Sequence, residues 1–200
     1  RQGFFQRATL DSILPHMPEH LRGVLVAAYV TGWGLSSEVL TREWRHVDFD
    51  AGWLRLDPGE GKTGEGRMFP LTPELRTVLE AQRVYTDACE LAGGKIIPLV
   101  FHRDGKRITT MEFHWDRAGK RAGVAKALIH DFRRTAVRNL ERAGVPRSAA
   151  MALIGHKTEA IYRRYAVVDE VMLKEGADKL SVLLERQKVE AAKVTALRRG

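Results

Sequence analysis

Residues 154–165 read IGHKTEAIYRRY, with a glycine, a histidine and two tyrosines inside one short stretch. Gly155 is suited to end one helix, because glycine takes up a left-handed C-cap without a Cβ penalty, and Thr158 can cap the next one. His156 then falls in the turn between two helices. Tyr162 and Tyr165 both belong to the short helix after it, where an exposed tyrosine is ordinarily a surface aromatic. Helical spacing alone does not choose between them.

Working upstream, residues 129–140 read IHDFRRTAVRNL. At about 100° per residue, Ile129, Phe132, Ala136, Leu140 and Ala143 form one buried stripe. His130 and Arg133, three apart, lie along one edge of it. Arg133 projects roughly 60° from the stripe's centre, whereas Arg134 and Arg138 project roughly 160° from it. Arg133 is therefore the guanidinium expected to be half-buried and held still, although the satisfied edge of any core helix has the same appearance.

These two stretches sit in the most basic part of the chain. Residues 117–165 carry 12 Lys and Arg against 3 Asp and Glu, while the whole chain has a formal charge of +8. The basicity is thus concentrated, which suits a nucleic-acid surface, the plainer alternative being a solvated Arg-rich helical face. Cys89 is the only cysteine, which excludes an internal disulfide framework and a Cys-rich zinc site. An intracellular location is the simplest fit, no apolar run reaches the roughly 18 residues of a membrane span, and the first ten residues do not resemble a signal peptide.

Further upstream, GEGKTGEGR (residues 59–67) superficially looks like a phosphate-binding P-loop, but that pattern needs a glycine where Leu56 stands and a helix afterwards. What remains is Lys62 on a flexible hairpin tip. The stretch TGWGLSSEVL (residues 31–40) places Gly34 just before a helix-like start in which Ser36 and Ser37 can cap and Glu38 sits in the first turn. A glycine at 34 is either a turn residue that needs positive φ or a position lacking an expected side chain.

At 200 residues and 44% hydrophobic composition the chain can bury a sizeable core. Thr9 and Asp11 signal one helix start and Pro18 a second, leading into Thr31. WRHVDF, WLRL and RMFPL then read as a small antiparallel meander, Thr72 and Pro73 open a long helix, and LVFHRDGKRI reads as a strand and turn. Helices follow from Thr110, broken at Gly123, Gly144 to Pro146 and Gly155. The expected class is mainly α with a small antiparallel β-sheet (α+β), ending in a polar helix with a thin apolar stripe.

Taken in order, the four stretches resemble the catalytic domain of tyrosine recombinases, the phage integrase family. HDFRRTA is similar to the family's His-x-x-Arg motif, and IGHKTEAIYRRY to its Gly-His followed nine residues later by the tyrosine nucleophile, which points to Tyr165 rather than Tyr162. PGEGKTGEGRMFPL resembles the β-hairpin lysine segment, giving Lys62. TGWGLSSEVL resembles the segment of the first catalytic arginine, with Glu38 in the supporting acidic position. The resemblance covers roughly residues 8–170. At the position of that arginine stands Gly34, which on this resemblance is a lost guanidinium. Arg42 and Arg45 are poor substitutes, since eight residues of helix span about 12 Å.

The resemblance implies the fold of DNA breaking-rejoining enzymes, with residues 1–177 as catalytic domain and 178–200 as a helical tail able to dock on a neighbouring protomer. The family's N-terminal core-binding domain is not expected within this chain. It implies site-specific recombination of double-stranded DNA through a 3′-phosphotyrosine intermediate, as a tetramer on DNA, with no cofactor and no metal. The implied catalytic set is Tyr165, Arg133, His130, His156 and Lys62, with DNA-binding contacts from Arg134, Arg138, Lys157, Arg163 and Arg164. The implied setting is a bacterial or phage-encoded, nucleoid-associated protein of the cytoplasm, impaired by Gly34. A noncatalytic DNA-binding integrase relative is the alternative, and a relaxing topoisomerase of related chemistry fits the pattern less well.

Overall fold

The computed structural model describes residues 5–61, 64–124, 128–163 and 170–197. It divides into two units, residues 1–165 and 166–200.

In the first unit, α1 (Arg7–Ile13) leads through a short 3-10 turn (Leu14–His16) to α2 (Glu19–Thr31), which starts after Pro18 as its sequence signals indicate. Thr9 and Asp11 are not the caps of the first helix. They lie inside α1, where Asp11 accepts a bond from Arg7 Nε at 2.8 Å and so supports the helix from its interior. α2 closes on Gly32 at φ +66°, and here glycine is mandatory for two reasons. A Cβ at residue 32 would lie 2.6 Å from Ala136 Cβ and 2.8 Å from Ile154 Cδ1. The end of α2 is thereby pressed directly onto two later helices.

The segment with Ser36 and Ser37 does not start an α-helix. Leu35–Val39 is a π-turn, in which the N–H of Val39 bonds to the Gly34 carbonyl and that of Leu40 to the Leu35 carbonyl, at 3.1 and 2.9 Å. Such wide turns are found disproportionately at functional sites. Three strands follow, β1 (Val47–Asp48), β2 (Trp53–Leu56) and β3 (Arg67–Pro70), paired antiparallel in chain order. Leu54 faces Phe69 and Leu56 faces Arg67 across β2 and β3. On β3 Arg67 and Phe69 are buried while Met68 and Pro70 are exposed, the alternation of a sheet with one buried face.

Thr72 caps α3 (Pro73–Gly93) by accepting a bond from the Leu75 N–H at 3.3 Å, and Gly94 ends it at φ +62°. A two-residue hairpin turn, Asp104–Gly105, joins β4 (His102–Arg103) to β5 (Lys106–Arg107). Then come α4 (Glu112–Arg121), α5 (Asp131–Arg142), α6 (Arg147–Ile154) and α7 (Glu159–Arg163). Phe132 anchors α5 in the core, packed edge-on against Phe5, Tyr29 and Trp115 at ring separations of 5.2, 5.7 and 5.5 Å. The buried face of α5 comprises Phe132, Thr135, Ala136 and Val137, which shifts it from the expected stripe. Ala143 is exposed because the helix ends at Arg142, before the stripe is completed.

The second unit contains α8 (Glu170–Leu197), a helix that starts upstream of the expected residue 178. Leu173, Leu180, Val182, Leu183 and Leu184 are exposed on it. Among the described residues, no helix is long and apolar enough to cross a membrane. The mainly helical architecture with small antiparallel sheets is the α+β class expected from the sequence.

Candidate functional site

Four segments converge near the start of α5: the turn after α2, the first residue of β3, Arg133 on α5, and the turn after α6. The first is tied to the last through Trp33, whose Nε1 donates to the Leu153 carbonyl at 2.9 Å. Phe132 in the core fixes the backbone from which Arg133 projects. The Arg133 side chain is 17% exposed, as the edge position on α5 predicts. Its Nη2 donates to the Ile154 carbonyl at 2.9 Å and its Nε to His156 Nε2 at 3.1 Å. Its Nη1 lies 3.5 Å from both the Gly32 carbonyl and Glu38 Oε2. A planar guanidinium held at several points presents a fixed orientation, which a flexible ammonium could not.

His156 is buried in the turn that follows the left-handed Gly155. Because Nε2 accepts from Arg133, the neutral ring carries its proton on Nδ1. Burial, reinforced by the Arg133 and Arg67 guanidinium charges and opposed by Glu38, holds His156 down at about 4. The imidazole is therefore neutral at physiological pH. Tyr162 meets it edge-on at 5.7 Å between ring centroids.

Tyr162 is itself fully buried, and burial with the Glu141 carboxylate nearby pushes its phenol up to about 12. It is a core aromatic and unsuited to act as a nucleophile. Helical spacing left Tyr162 and Tyr165 equivalent; the burial of Tyr162 removes that equivalence. Tyr165 and Lys62 lie outside the described residues, as does Arg164. His130 is exposed at the N-cap position of α5, one turn before Arg133.

Gly34 has φ −63° and ψ 119°, an ordinary extended conformation, so no positive φ requires glycine there. Its N–H donates to Glu38 Oε2 at 2.5 Å. The Glu38 side chain is only 5% exposed, and the same Oε2 is approached by Arg67 Nη2 at 2.5 Å. That contact is a buried ion pair, and among the described residues Arg67 Nε and Nη1 have no hydrogen-bond acceptor. The Arg67 guanidinium lies 5.0 Å from the Trp33 ring centroid. No motif signals Arg67. Its one trace in the sequence is the strand alternation that puts it on the same face as Phe69.

Arg42 and Arg45 are both engaged elsewhere. Arg42, 1% exposed, donates to the Glu38 and Arg55 carbonyls and to Glu60 Oε2 at 2.7, 3.0 and 2.7 Å. Arg45 is exposed and pairs with Glu43, Asp57 and Glu60. His46, Asp57 and Glu60 are spaced closely enough to suggest metal ligands, but these two arginines already meet the carboxylates.

Of the expected DNA-contacting residues, Arg134 and Arg138 are half-buried on α5. Lys157 pairs with Glu65 at 3.3 Å, and Arg163 with Glu159 at 3.1 Å, both at exposed positions. Exposed pairs of this kind contribute little to stability, so both cations can exchange partners readily.

Residues 5–171 match the model of the Phage integrase family. The integrase of Salmonella phage P22 is 26% identical over 162 residues, covering 77% of this chain and 41% of that protein. The chain thus spans less than half the length of that relative. Among solved structures, XerA recombinase superposes with a TM-score of 0.71 at 17% identity, covering 89% of this chain and 63% of that one. The Tn1549 transposon integrase in complex with transposon right end DNA gives 0.69 at 16% identity, covering 90% and 66%. A lambda integrase dimer bound to a COC′ core site gives 0.63 at 19% identity, covering 85% and 64%. With the sequence match running through the turn after α2, the β3 hairpin, α5 and the Gly155–His156 turn, this chain belongs to the phage integrase family of tyrosine site-specific recombinases.

Proposed function

We propose that this chain is the catalytic domain of a site-specific DNA recombinase that breaks and rejoins strands through a 3′-phosphotyrosine. The observation that carries the reading is the junction of Arg133 and His156, which binds a charged fork to a neutral imidazole at one place. A phosphodiester is anionic, and its trigonal-bipyramidal transition state spreads further charge over the equatorial oxygens. Fixed donors stabilise that charge without reorganising. Arg133 holds the nonbridging oxygens and His156 donates through Nδ1–H.

In this reading Tyr165 attacks phosphorus, forming a 3′-phosphotyrosine and releasing a 5′-hydroxyl. A free phenol of pKa near 10 is only about 0.1% ionised at pH 7, so His130 takes the proton as attack proceeds. Lys62 protonates the departing 5′-oxygen. The covalent bond conserves the energy of the phosphodiester, so the reverse attack by a 5′-hydroxyl rejoins the strand without ATP. Arg134, Arg138, Lys157, Arg163 and Arg164 supply backbone contacts whose strength falls with salt. The exposed apolar positions of α8, including Leu180, Leu183 and Leu184, suit docking on a neighbouring protomer in an assembly on DNA.

Gly34 leaves the site without a guanidinium at that position. The same feature favours one other reading, a DNA-binding relative that makes no cut. Incubation with a nicked suicide substrate separates the two: a covalent protein–DNA adduct lost in Tyr165→Phe supports the enzyme, and salt-sensitive binding without adduct supports the binding module.

A further inference from the structure

Gly34 raises a problem of charge. Glu38 is buried beside Arg133, and a lone carboxylate there would cancel the guanidinium charge that an incoming phosphodiester needs. Arg67 answers it. Its side chain is 4% exposed, it reaches Glu38 Oε2 at 2.5 Å, and this is the oxygen that the Gly34 N–H also meets and that Arg133 Nη1 faces at 3.5 Å. Two guanidinium groups therefore flank one carboxylate oxygen. Among the described residues, Glu38 is the carboxylate that this guanidinium meets, and its Nε and Nη1 have no hydrogen-bond acceptor there.

The surroundings are shaped for it. Trp33 lies beneath the guanidinium, and the left-handed Gly155, next to His156, leaves out the one side-chain atom that would collide with Arg67 Nη1 and Cζ. A purely structural pair of buried ions is ordinarily surrounded by partners that satisfy its remaining donors. Here, among the described residues, Arg67 Nε and Nη1 have no hydrogen-bond partner, and they lie beside the two residues that meet the phosphate in the proposed reaction. A Cβ at Gly34 would lie 3.0 Å from Ser37 Oγ and 3.3 Å from Glu38 Oε2, so an arginine at 34 would contend for the carboxylate that Arg67 already holds.

We propose that Arg67 is the second guanidinium of this site, a positioning residue that neutralises Glu38 beside Arg133, in place of an arginine at position 34. The proposal rests on the recombinase reading for its reaction, but its electrostatic content does not depend on cleavage. His156 is the reporter. It is faced by Arg133 from α5, Arg67 from β3, Glu38 from the π-turn and Tyr162 from α7, with Lys157 adjacent in its own turn and paired to Glu65 of the hairpin.

The test titrates the His156 ring by NMR and measures adduct formation on nicked DNA in the full chain, for Arg67→Gln, Arg67→Lys and the relocation variant Gly34→Arg/Arg67→Gln. In Arg67→Gln the His156 pKa rises by about one unit and adduct formation falls by at least ~10-fold, whereas Arg67→Lys stays close to the native chain on both. Gly34→Arg recovers the loss in the Arg67→Gln background and gains less than ~10-fold in the native one, a non-additivity expected of groups sharing a partner. Should Arg67→Gln not fold, the relocation variant, which moves the guanidinium rather than deleting it, must fold and cleave. An unmoved His156 titration, equal gains from Gly34→Arg in both backgrounds, or an inactive relocation variant would overturn the role of Arg67. Absence of any Tyr165-dependent adduct would instead overturn the recombinase reading, with the titration still deciding the electrostatic role.

Discussion

Arg67 Nη2 lies 2.5 Å from Glu38 Oε2, with both side chains buried. The contact joins the β3 hairpin to the turn after α2, and Glu38 in turn faces Arg133 on α5. Segments far apart in the chain are therefore coupled through one carboxylate. Substitutions at any of them are expected to act on the others.

Arg133→Lys retains the charge and loses the fork. A lysine cannot donate at once to the Ile154 carbonyl, His156 Nε2 and a phosphate oxygen in one plane. Adduct formation on nicked DNA should fall by at least ~10²-fold in single-turnover assays, with the thermal midpoint changed far less than the rate.

Gly155→Ala combines two faults. Residue 155 has φ +80°, and its Cβ would run into the Arg67 guanidinium. Gly52, at φ +78° with nothing within 4 Å, isolates the backbone part alone. Gly52→Ala should cost about 1–2 kcal/mol in denaturant unfolding, and Gly155→Ala clearly more, with a measurable loss of cleavage besides.

Glu60 ties the root of the hairpin that carries Lys62. Burial acts to raise its carboxyl, but the bonds from Arg42 Nη1 and the Asp57 N–H, with the charges of Arg42 and His46, hold it at about 2. Its folded pKa lies below the ordinary value of 4.5, so the stability it contributes is present above that pH and is lost as pH falls toward 2. Glu60→Gln should lower unfolding free energy by about 1–3 kcal/mol at pH 7, and the gap from the native chain should close on acidification. Urea unfolding at pH 7 and pH 3 measures both.

The sequence already exposes the local devices of this fold. Thr72 with Pro73, and the glycines at 123, 144 and 155, mark helix ends because capping and positive φ are properties of single residues. Phe132 and Arg133 are legible from helical period, one pointing into the core and the other along its edge. The π-turn at 35–39 is not legible, since serines near a helix start signal a cap equally well in either geometry. Ala143 misleads because periodicity does not say where α5 stops. Arg67 escapes notice for a different reason. Its place beside Glu38 arises from the pairing of β3 with β2 and its packing near α6, contacts that no spacing within RMFP can express.

The central claim is that the hydroxyl of residue 165 becomes joined to DNA. The most direct measurement traps the adduct on a nicked substrate, digests protein and DNA, and locates the nucleotide-bearing peptide by mass spectrometry. The account predicts a single modified site at Tyr165, absent from Tyr165→Phe and strongly reduced in Arg133→Lys. A nucleotide on Tyr162, or an adduct that survives in Tyr165→Phe, would contradict it.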